Sequence, residues 1–106
     1  MKSILILIAF ILSFNVFSQE ATLLYMNSDW NHKNDYQFLK LIKGAKVLEV
    51  DYDSQPEKFK QAISSVPAII LFDKNKKLKK IWQAGLTMRL TVDPKDIQKA
   101  INELNK

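Results

Sequence analysis

The segment Ala68–Phe72, which reads Ala-Ile-Ile-Leu-Phe, constrains the fold of this chain more than any other stretch. A strand without a polar face is covered on both sides, which is the environment of a central strand in a sheet with helices on its two faces. Val66 and Pro67 precede the run, and residues 73–76 supply turn-forming side chains after it. The composition, 47% hydrophobic and 25% charged over 106 residues, fits one small globular domain. We therefore expect a single α/β domain.

Residues 1–18 have the layout of a secretory signal peptide. Lys2 supplies a charged start, and an apolar run with two polar interruptions occupies residues 4–17. Small residues at the minus-three and minus-one positions predict cleavage between Ser18 and Gln19. The run is shorter than the roughly 20 apolar residues that a spanning helix needs, so a retained membrane anchor is the less favoured alternative. Cleavage predicts a periplasmic or secreted protein.

Removal of 18 residues from 106 leaves an 88-residue domain at 19–106, and the chain contains no cysteine. Disulfides, thiolate zinc sites, iron–sulfur clusters and thiol nucleophiles are excluded, because each needs a cysteine sulfur. The stability of the domain has to come from packing, helix caps and strand pairing. Loss of Lys2 lowers the formal net charge from +5 to +4, and five lysines concentrate at 74–80.

Hydrophobic periodicity predicts seven elements in the order strand, helix, strand, helix, strand, strand, helix. Two crossovers early in the chain imply parallel pairing, and a hairpin at 72–77 implies an antiparallel edge strand. The expected architecture is an α/β sandwich with a mixed four-stranded sheet and about three helices, and residues 86–92 have no assignment. The strands are expected at 21–26, 46–52, 68–72 and about 77–83, and the helices at 35–43, about 54–63 and 93–104.

Local signals support each predicted helix. The first has a short apolar stripe and ends at Gly44. Ser54 with Glu57 three residues later predicts a capping box for the second. Asp93 as N-cap and Pro94 at the first helical position begin the third, which has the clearest helical periodicity in the chain.

Three features follow one another in a familiar order. Asp29–Asn34, Asp-Trp-Asn-His-Lys-Asn, stands after a buried strand and before a predicted helix. Residues 63–68 place Pro67 just ahead of an apolar strand, and a hairpin, Gly85 and a final helix follow. This layout resembles the thioredoxin family, whose members carry Trp-Cys-Gly-Pro-Cys in the first segment and a cis-proline in the second. The resemblance covers nearly all of 19–106, without the family's first strand and helix, and implies a trimmed thioredoxin-like domain.

Alignment on Trp30 places Asn31 and Asn34 at the two cysteine positions of the family. An amide is neither a nucleophile nor an electron donor, so the redox activity of the family does not carry over. Tyr25 stands where the redox members keep a buried acid that assists proton transfer. The resemblance thus implies a degenerate active-site motif made of Trp30, Asn31, His32, Lys33 and Asn34.

A peptide groove is expected where this motif meets the proline segment. Pro67 fits a tight, buried turn with a cis Val66–Pro67 bond. Such a turn directs the backbone groups of Val66 toward the Trp30 loop, free to pair with an extended peptide. Two interpretations of Trp30 stay open, a stacking platform beside the groove or a lid over the end of the sheet. The expected groove residues are Trp30, His32, Val66 and Pro67.

Other polar clusters favour ordinary structural roles. His32 lies near Ser28 and Asp35, but a catalytic triad is defined by geometry, and one histidine with carboxylates is a poor metal site. Asp51 and Asp53 are typical of a solvated turn. The lysine-rich hairpin lacks interleaved aromatic residues, so we expect it to remain soluble rather than to bind nucleic acid. No catalytic or metal site is predicted.

These features favour an exported, non-catalytic thioredoxin-like module that binds an unknown protein or extended peptide, as a monomer and without a cofactor. Membrane contact is expected only through an uncleaved signal peptide. Two alternatives stay open: an accessory factor that assists thiol–disulfide exchange by a partner enzyme, and a structural or inhibitory subunit of an envelope assembly.

Overall fold

The structure, a computed structural model, describes residues 20–106. The predicted signal peptide at 1–18 lies outside the described residues. The strands are β1 (Ala21–Asn27), β2 (Ala45–Asp51), β3 (Ala68–Phe72) and β4 (Leu78–Gln83), and the α-helices are α1 (Glu57–Ala62) and α2 (Pro94–Leu104). Three short 3-10 helices occupy Asp29–Asn34, Leu39–Leu41 and Tyr52–Ser54. Within 20–106, no helix has the length and apolar character needed to cross a membrane.

The sheet has the strand order β2-β1-β3-β4. β1 pairs with β2 in parallel, whereas β3 is antiparallel to both β1 and β4. The prediction of parallel pairing is therefore correct for the first crossover and wrong for the second. The six residues of α1 span about 9 Å, too short to carry the chain back along a strand of about 23 Å, so β3 begins at the end where β2 stops.

Two apolar clusters fill the two faces of the sheet. Alternation along β1 sends Leu24 and Met26 to one face and Leu23 and Tyr25 to the other. All five residues of β3 are buried, which confirms its central position. The first face is covered by α1 and the residue after it through Phe59 and Ile63, and the second by α2 through Ile97 and Ile101.

The α-helix predicted at 35–43 is wrong. Only Leu39–Leu41 forms a single 3-10 turn there. Tyr36 anchors the segment, because its backbone N–H donates to the hydroxyl of Tyr25 at 2.9 Å and its own hydroxyl donates to the carbonyl of Val92 at 2.7 Å. Burying a three-residue apolar stripe gains too little free energy to offset the cost of helix nucleation. These tertiary contacts therefore set the local conformation.

One of the two helix caps predicted from the sequence forms, and the other does not. Asp93 caps α2 by accepting a hydrogen bond from the backbone two residues later, and Pro94 opens the helix, as predicted. The capping box of Ser54 and Glu57 does not form. Ser54 Oγ instead donates to Asp51 Oδ2 at 2.6 Å, so this serine closes the turn after β2 rather than capping α1.

Candidate functional site

The degenerate motif Trp30–Asn34 follows β1 at the end of the sheet where this strand stops, and Asn31 holds it in place. This side chain is only 3% exposed. Its Nδ2 donates to the carbonyl of Val66 at 3.3 Å and to the carbonyl of Met88 at 2.9 Å. One amide thus joins the loop after β1 to the proline segment and to the stretch before α2.

Asn27, Asn31 and Asn34 form a connected group, here named the asparagine cluster. Asn31 Nδ2 also lies 3.1 Å from Asn27 Oδ1, and Asn27 Nδ2 donates to the Asn31 carbonyl at 3.2 Å. Asn34 Nδ2 donates to Asn31 Oδ1 at 2.8 Å. The two positions that the resemblance aligns with cysteines are therefore joined by a hydrogen bond between amides, which ties the loop together without redox chemistry.

Asp35 connects the asparagine cluster to Tyr25. Its Oδ1 accepts from Tyr25 Oη at 2.8 Å and from Asn27 Nδ2 at 2.6 Å, and its Oδ2 lies 2.6 Å from His32 Nδ1. The phenol at the position of the family's buried acid is thus hydrogen-bonded to a carboxylate ten residues later in the chain.

The surroundings of Tyr25 and Asp35 shift the pKa values of the two side chains in opposite directions. Burial raises the pKa of the Asp35 carboxyl, but the hydrogen bonds from Asn27 and Tyr25 and the attraction of His32 outweigh it, so the net pKa lies below its ordinary value. Burial, followed by the hydrogen bond to Asp35, raises the pKa of Tyr25 well above its ordinary value. At neutral pH the phenol therefore keeps its proton and the carboxyl stays ionised, an arrangement suited to structure rather than to proton transfer.

Trp30 faces solvent beside this buried network. Its side chain is 65% exposed, although the next residue, Asn31, is almost fully buried. This exposure favours the platform over the lid. Lys33 is also exposed, and Leu86 on the stretch after β4 is fully exposed. Two large apolar side chains, Trp30 and Leu86, are therefore exposed at this end of the sheet. Hydrogen bonds from Asn31 hold the loop that carries Trp30 in place.

The proline segment is less open than expected. Val66 is 3% exposed, and its carbonyl accepts a hydrogen bond from Asn31. The prediction that the backbone groups of Val66 are free is therefore wrong for the carbonyl. Pro67 is buried, its carbonyl accepts from the Ala84 N–H at 3.0 Å, and the Val66–Pro67 bond is cis. Of the four expected groove residues, Trp30 and His32 are exposed, whereas Val66 and Pro67 are buried.

The polar residues around His32 do not form a catalytic triad. The His32 ring contacts Asp35 and is 85% exposed, but Ser28 Oγ has no hydrogen-bond partner among the described residues. In the part of the chain that the structure describes, no three His, Asp or Glu side chains are grouped so that they could hold a metal ion.

Two contributors to the site were missed by the sequence analysis because they lie in the unassigned stretch 86–92. Met88 supplies a carbonyl to Asn31 from a backbone with φ of 57°, and an Nη of Arg89 donates to Asn34 Oδ1 at 3.3 Å. A positive φ at a non-glycine residue marks a specialised turn, but the sequence carries no periodic signal for it.

Comparison with known proteins identifies the fold. No family model matches the chain, and no curated protein matches it. Among solved structures, the chain is similar to a disulphide isomerase from Xylella fastidiosa Temecula1, with a TM-score of 0.50, 15% sequence identity, and coverage of 83% of this chain and 80% of that one. The likeness confirms the expected thioredoxin-like fold.

The fold and the sequence together define a thioredoxin-like domain that lacks the thiols required for disulfide exchange. The 106 residues contain no cysteine, and asparagines stand at the two positions that the sequence resemblance places at the family's cysteines. The mixed four-stranded sheet and flanking helices are the fold class expected from the sequence.

Proposed function

We propose that this protein is an exported, redox-inactive and trimmed relative of the thioredoxins that binds a protein segment through the surface around Trp30. The observation that carries the proposal is an exposed aromatic ring on a loop that is held in place by a buried, hydrogen-bonded side chain. Trp30 is 65% exposed, whereas the adjacent Asn31 is bonded to three separate parts of the chain. Loops positioned by a rigid scaffold are frequent binding elements.

The energetic argument rests on pre-organisation. A loop that is already ordered loses little conformational entropy on binding, so more of the contact energy appears as affinity. Burying about 150 Å² of the ring, at about 25 cal/mol per Å², contributes up to about 4 kcal/mol before the costs of association. Tryptophan is also among the residues that most often dominate interface energetics. Trp30 is therefore the expected anchor of the interface.

The mode of recognition follows from the occupied carbonyl of Val66. Because Asn31 already donates to this acceptor, backbone pairing at the proline segment has one acceptor fewer than the groove predicted from the sequence. Recognition therefore depends on side chains that reach the exposed Trp30 and His32, because Val66 and Pro67 are buried.

Selection of peptides tests this proposal. A random peptide display library is panned against the full-length protein, and the dissociation constants of the selected peptides are measured by fluorescence anisotropy. Trp30→Ala should weaken them at least about tenfold, equivalent to about 1.4 kcal/mol. Leu41→Ala is the matched control. Selected peptides that bind Trp30→Ala as tightly as the natural chain, or a failure to select any, would reject the proposed surface.

Leu41 suits the control because it is 61% exposed, close to the value for Trp30, but lies at the other end of the sheet. It precedes the first residue of β2, Ala45, which pairs with the first residue of β1. Trp30 follows the last residue of β1 instead. Loss of binding in both variants would indicate nonspecific apolar adhesion.

Export is supported by the charged start, the apolar run and the small residues before Gln19. Mass spectrometry of the protein expressed with its own N-terminus tests this part of the proposal. The mature chain is expected to begin at Gln19, and recovery of the intact 106-residue chain from a cell that exports other proteins would contradict it.

A further inference from the structure

A depression of about 300 Å³ is lined by the end of the degenerate motif, the residues directly after it, and the stretch before α2. We name it the basic depression, because two cations, Lys33 and Arg89, line it. Arg89 is the only arginine of the chain. The other lining residues that matter for its chemistry are Asn34, Asp35, Phe38 and Leu90.

The two cations have no carboxylate partner. Both side chains are exposed, and within residues 20–106 neither forms an ion pair. The carboxylate that also lines the depression, Asp35, uses its oxygens to bind Tyr25, Asn27 and His32. The described part of the chain therefore leaves the positive charge of Lys33 and Arg89 without a direct counterion.

One hydrogen bond holds the guanidinium of Arg89 at the depression. An Nη donates to Asn34 Oδ1 at 3.3 Å, and the Asn34 amide is itself held by donating to the buried Asn31 at 2.8 Å. A guanidinium carries five N–H donors in a planar fork, so donors remain for an acceptor from outside the chain. A carboxylate matches this fork, because its two oxygens accept two parallel hydrogen bonds.

Phe38 gives the depression an apolar side. Its side chain is 45% exposed, and its ring packs edge-on against the ring of Tyr36, with 5.5 Å between the centroids. Tyr36 is buried, and its hydroxyl donates to the Val92 carbonyl, so the exposed ring rests on an anchored neighbour. Aromatic residues and arginine are enriched in protein interfaces, whereas an inorganic anion would use the cations alone. The lining therefore favours an acidic protein segment.

We propose that the basic depression binds the carboxylate of a glutamate or aspartate side chain supplied by the protein partner. This inference rests on the proposed function, which it deepens by stating that the segment docked at Trp30 is acidic. The guanidinium of Arg89 donates to the carboxylate, Lys33 adds positive charge, and Phe38 contacts an apolar part of the same segment. Lys33 follows Trp30 by three residues in one 3-10 segment, so a single short peptide spans both.

An NMR titration of the full-length protein with N-acetyl-glutamate amide tests the inference without a partner. Because the chain has a single arginine, the Nε–Hε correlation of Arg89 is one unambiguous signal. This signal and the backbone amides of Asn34 and Leu90 should shift saturably. N-acetyl-glutamine amide, which has a similar shape but no charge, should leave them unmoved at the same ionic strength. Raising the salt concentration should weaken binding, because salt screens the attraction.

Two variants and one control locate the interaction. Arg89→Gln removes the charge and the fork, so it should weaken binding of the glutamate probe about fivefold, measured at the Leu90 amide. Lys33→Gln should weaken it about twofold, because a lysine adds charge without the planar fork. Lys58→Gln is the matched control. It removes the same charge from an exposed side chain on α1, and α1 covers the face of the sheet opposite to Tyr36 and Leu90.

Four results would overturn the inference. They are equal shifts with the glutamine probe, a loss of binding in Lys58→Gln as large as that in Arg89→Gln, no saturable shift of the Arg89 signal, and tighter binding of inorganic phosphate than of the glutamate probe. The last result would identify a phosphate site, such as one for nucleic acid, rather than a site for an acidic segment.

Failure of this inference is distinguishable from failure of the proposed function, because the glutamate titration needs no peptide and Trp30 does not line the depression. In peptides selected through Trp30, replacing the acidic residue by its amide should weaken binding to the natural chain more than binding to Arg89→Gln. If peptides bind through Trp30 but the glutamate probe does not bind, only the basic depression is rejected. If the probe binds but no peptide is selected, only the proposed surface around Trp30 is rejected.

Discussion

Replacing Asn31 with alanine should destabilise the protein more than any other change in the asparagine cluster. The amide has two hydrogens and one carbonyl oxygen, and its hydrogen-bond partners are Asn27, Val66, Met88 and Asn34. A buried acceptor left without its donor costs about 1 to 3 kcal/mol. The carbonyls of Val66 and Met88 both lose the Asn31 donor in this variant, so we expect the free energy of unfolding to fall by about 3 kcal/mol.

That loss is a large fraction of the roughly 5 to 10 kcal/mol expected for a domain of this size. Urea unfolding followed by circular dichroism measures it, with the midpoint falling by roughly 2 M while the slope m stays constant. Asn34→Ala should cost only about 1 kcal/mol, because Asn34 is half-buried and contributes a single donor to the cluster. Asn75→Ala, in the exposed turn after β3, should change stability by less than about 0.5 kcal/mol.

A loss below about 1 kcal/mol for Asn31→Ala, or one equal to that of Asn34→Ala, would refute the reasoning. Either result would mean that the loop is not held by the buried amide. The rigid presentation of Trp30 would then lose its structural basis, and so would the argument from pre-organisation.

Three further outcomes follow from the same network. The double variant Asn31→Cys/Asn34→Cys should form a disulfide under oxidant, because the two side chains are in contact, and thiols that stay alkylatable in the folded variant would contradict the alignment. The natural protein should show no disulfide reduction above buffer and should leave the rate of added thioredoxin unchanged, whereas acceleration would favour the accessory factor. Asp35 should titrate below its ordinary pKa by carboxyl NMR, and Tyr25→Phe should move that pKa upward. Because the folded pKa is lowered, the stabilisation by Asp35 is present above the unfolded pKa and disappears as the pH falls through the folded value, so unchanged titration in Tyr25→Phe would argue against the hydrogen bond.

Much of the fold could be predicted from the sequence because its signals are local. The uninterrupted apolar run of β3 predicts a strand covered on both faces, and the structure confirms it. Asp93 and Pro94 predict the start of α2 through backbone chemistry confined to one turn. The order of these elements and the motifs between them resemble the thioredoxin family, and the structural comparison confirms the thioredoxin-like fold.

Predictions that depended on weak local signals were wrong. The segment 35–43 has a helical stripe, but Tyr36 is bonded to Tyr25 and Val92 across the fold, and these contacts outweigh a marginal propensity. The prediction that β3 runs parallel to its neighbour is wrong for a related reason. The direction of β3 depends on which end of the sheet the chain has reached after α1, and a hydrophobic pattern carries no information on that position.

The sequence alone excludes thiol chemistry, because a chain without cysteine has no thiol in any conformation. It also predicts that β1 and β3 are buried strands, because an uninterrupted apolar run is a local property. The contacts made by the degenerate motif, in contrast, depend on the tertiary structure. Asn31 reaches Val66 and Met88, which are 35 and 57 residues away along the chain. Hydrogen bonds between such distant residues depend on distance and direction in space, which a one-dimensional pattern does not encode.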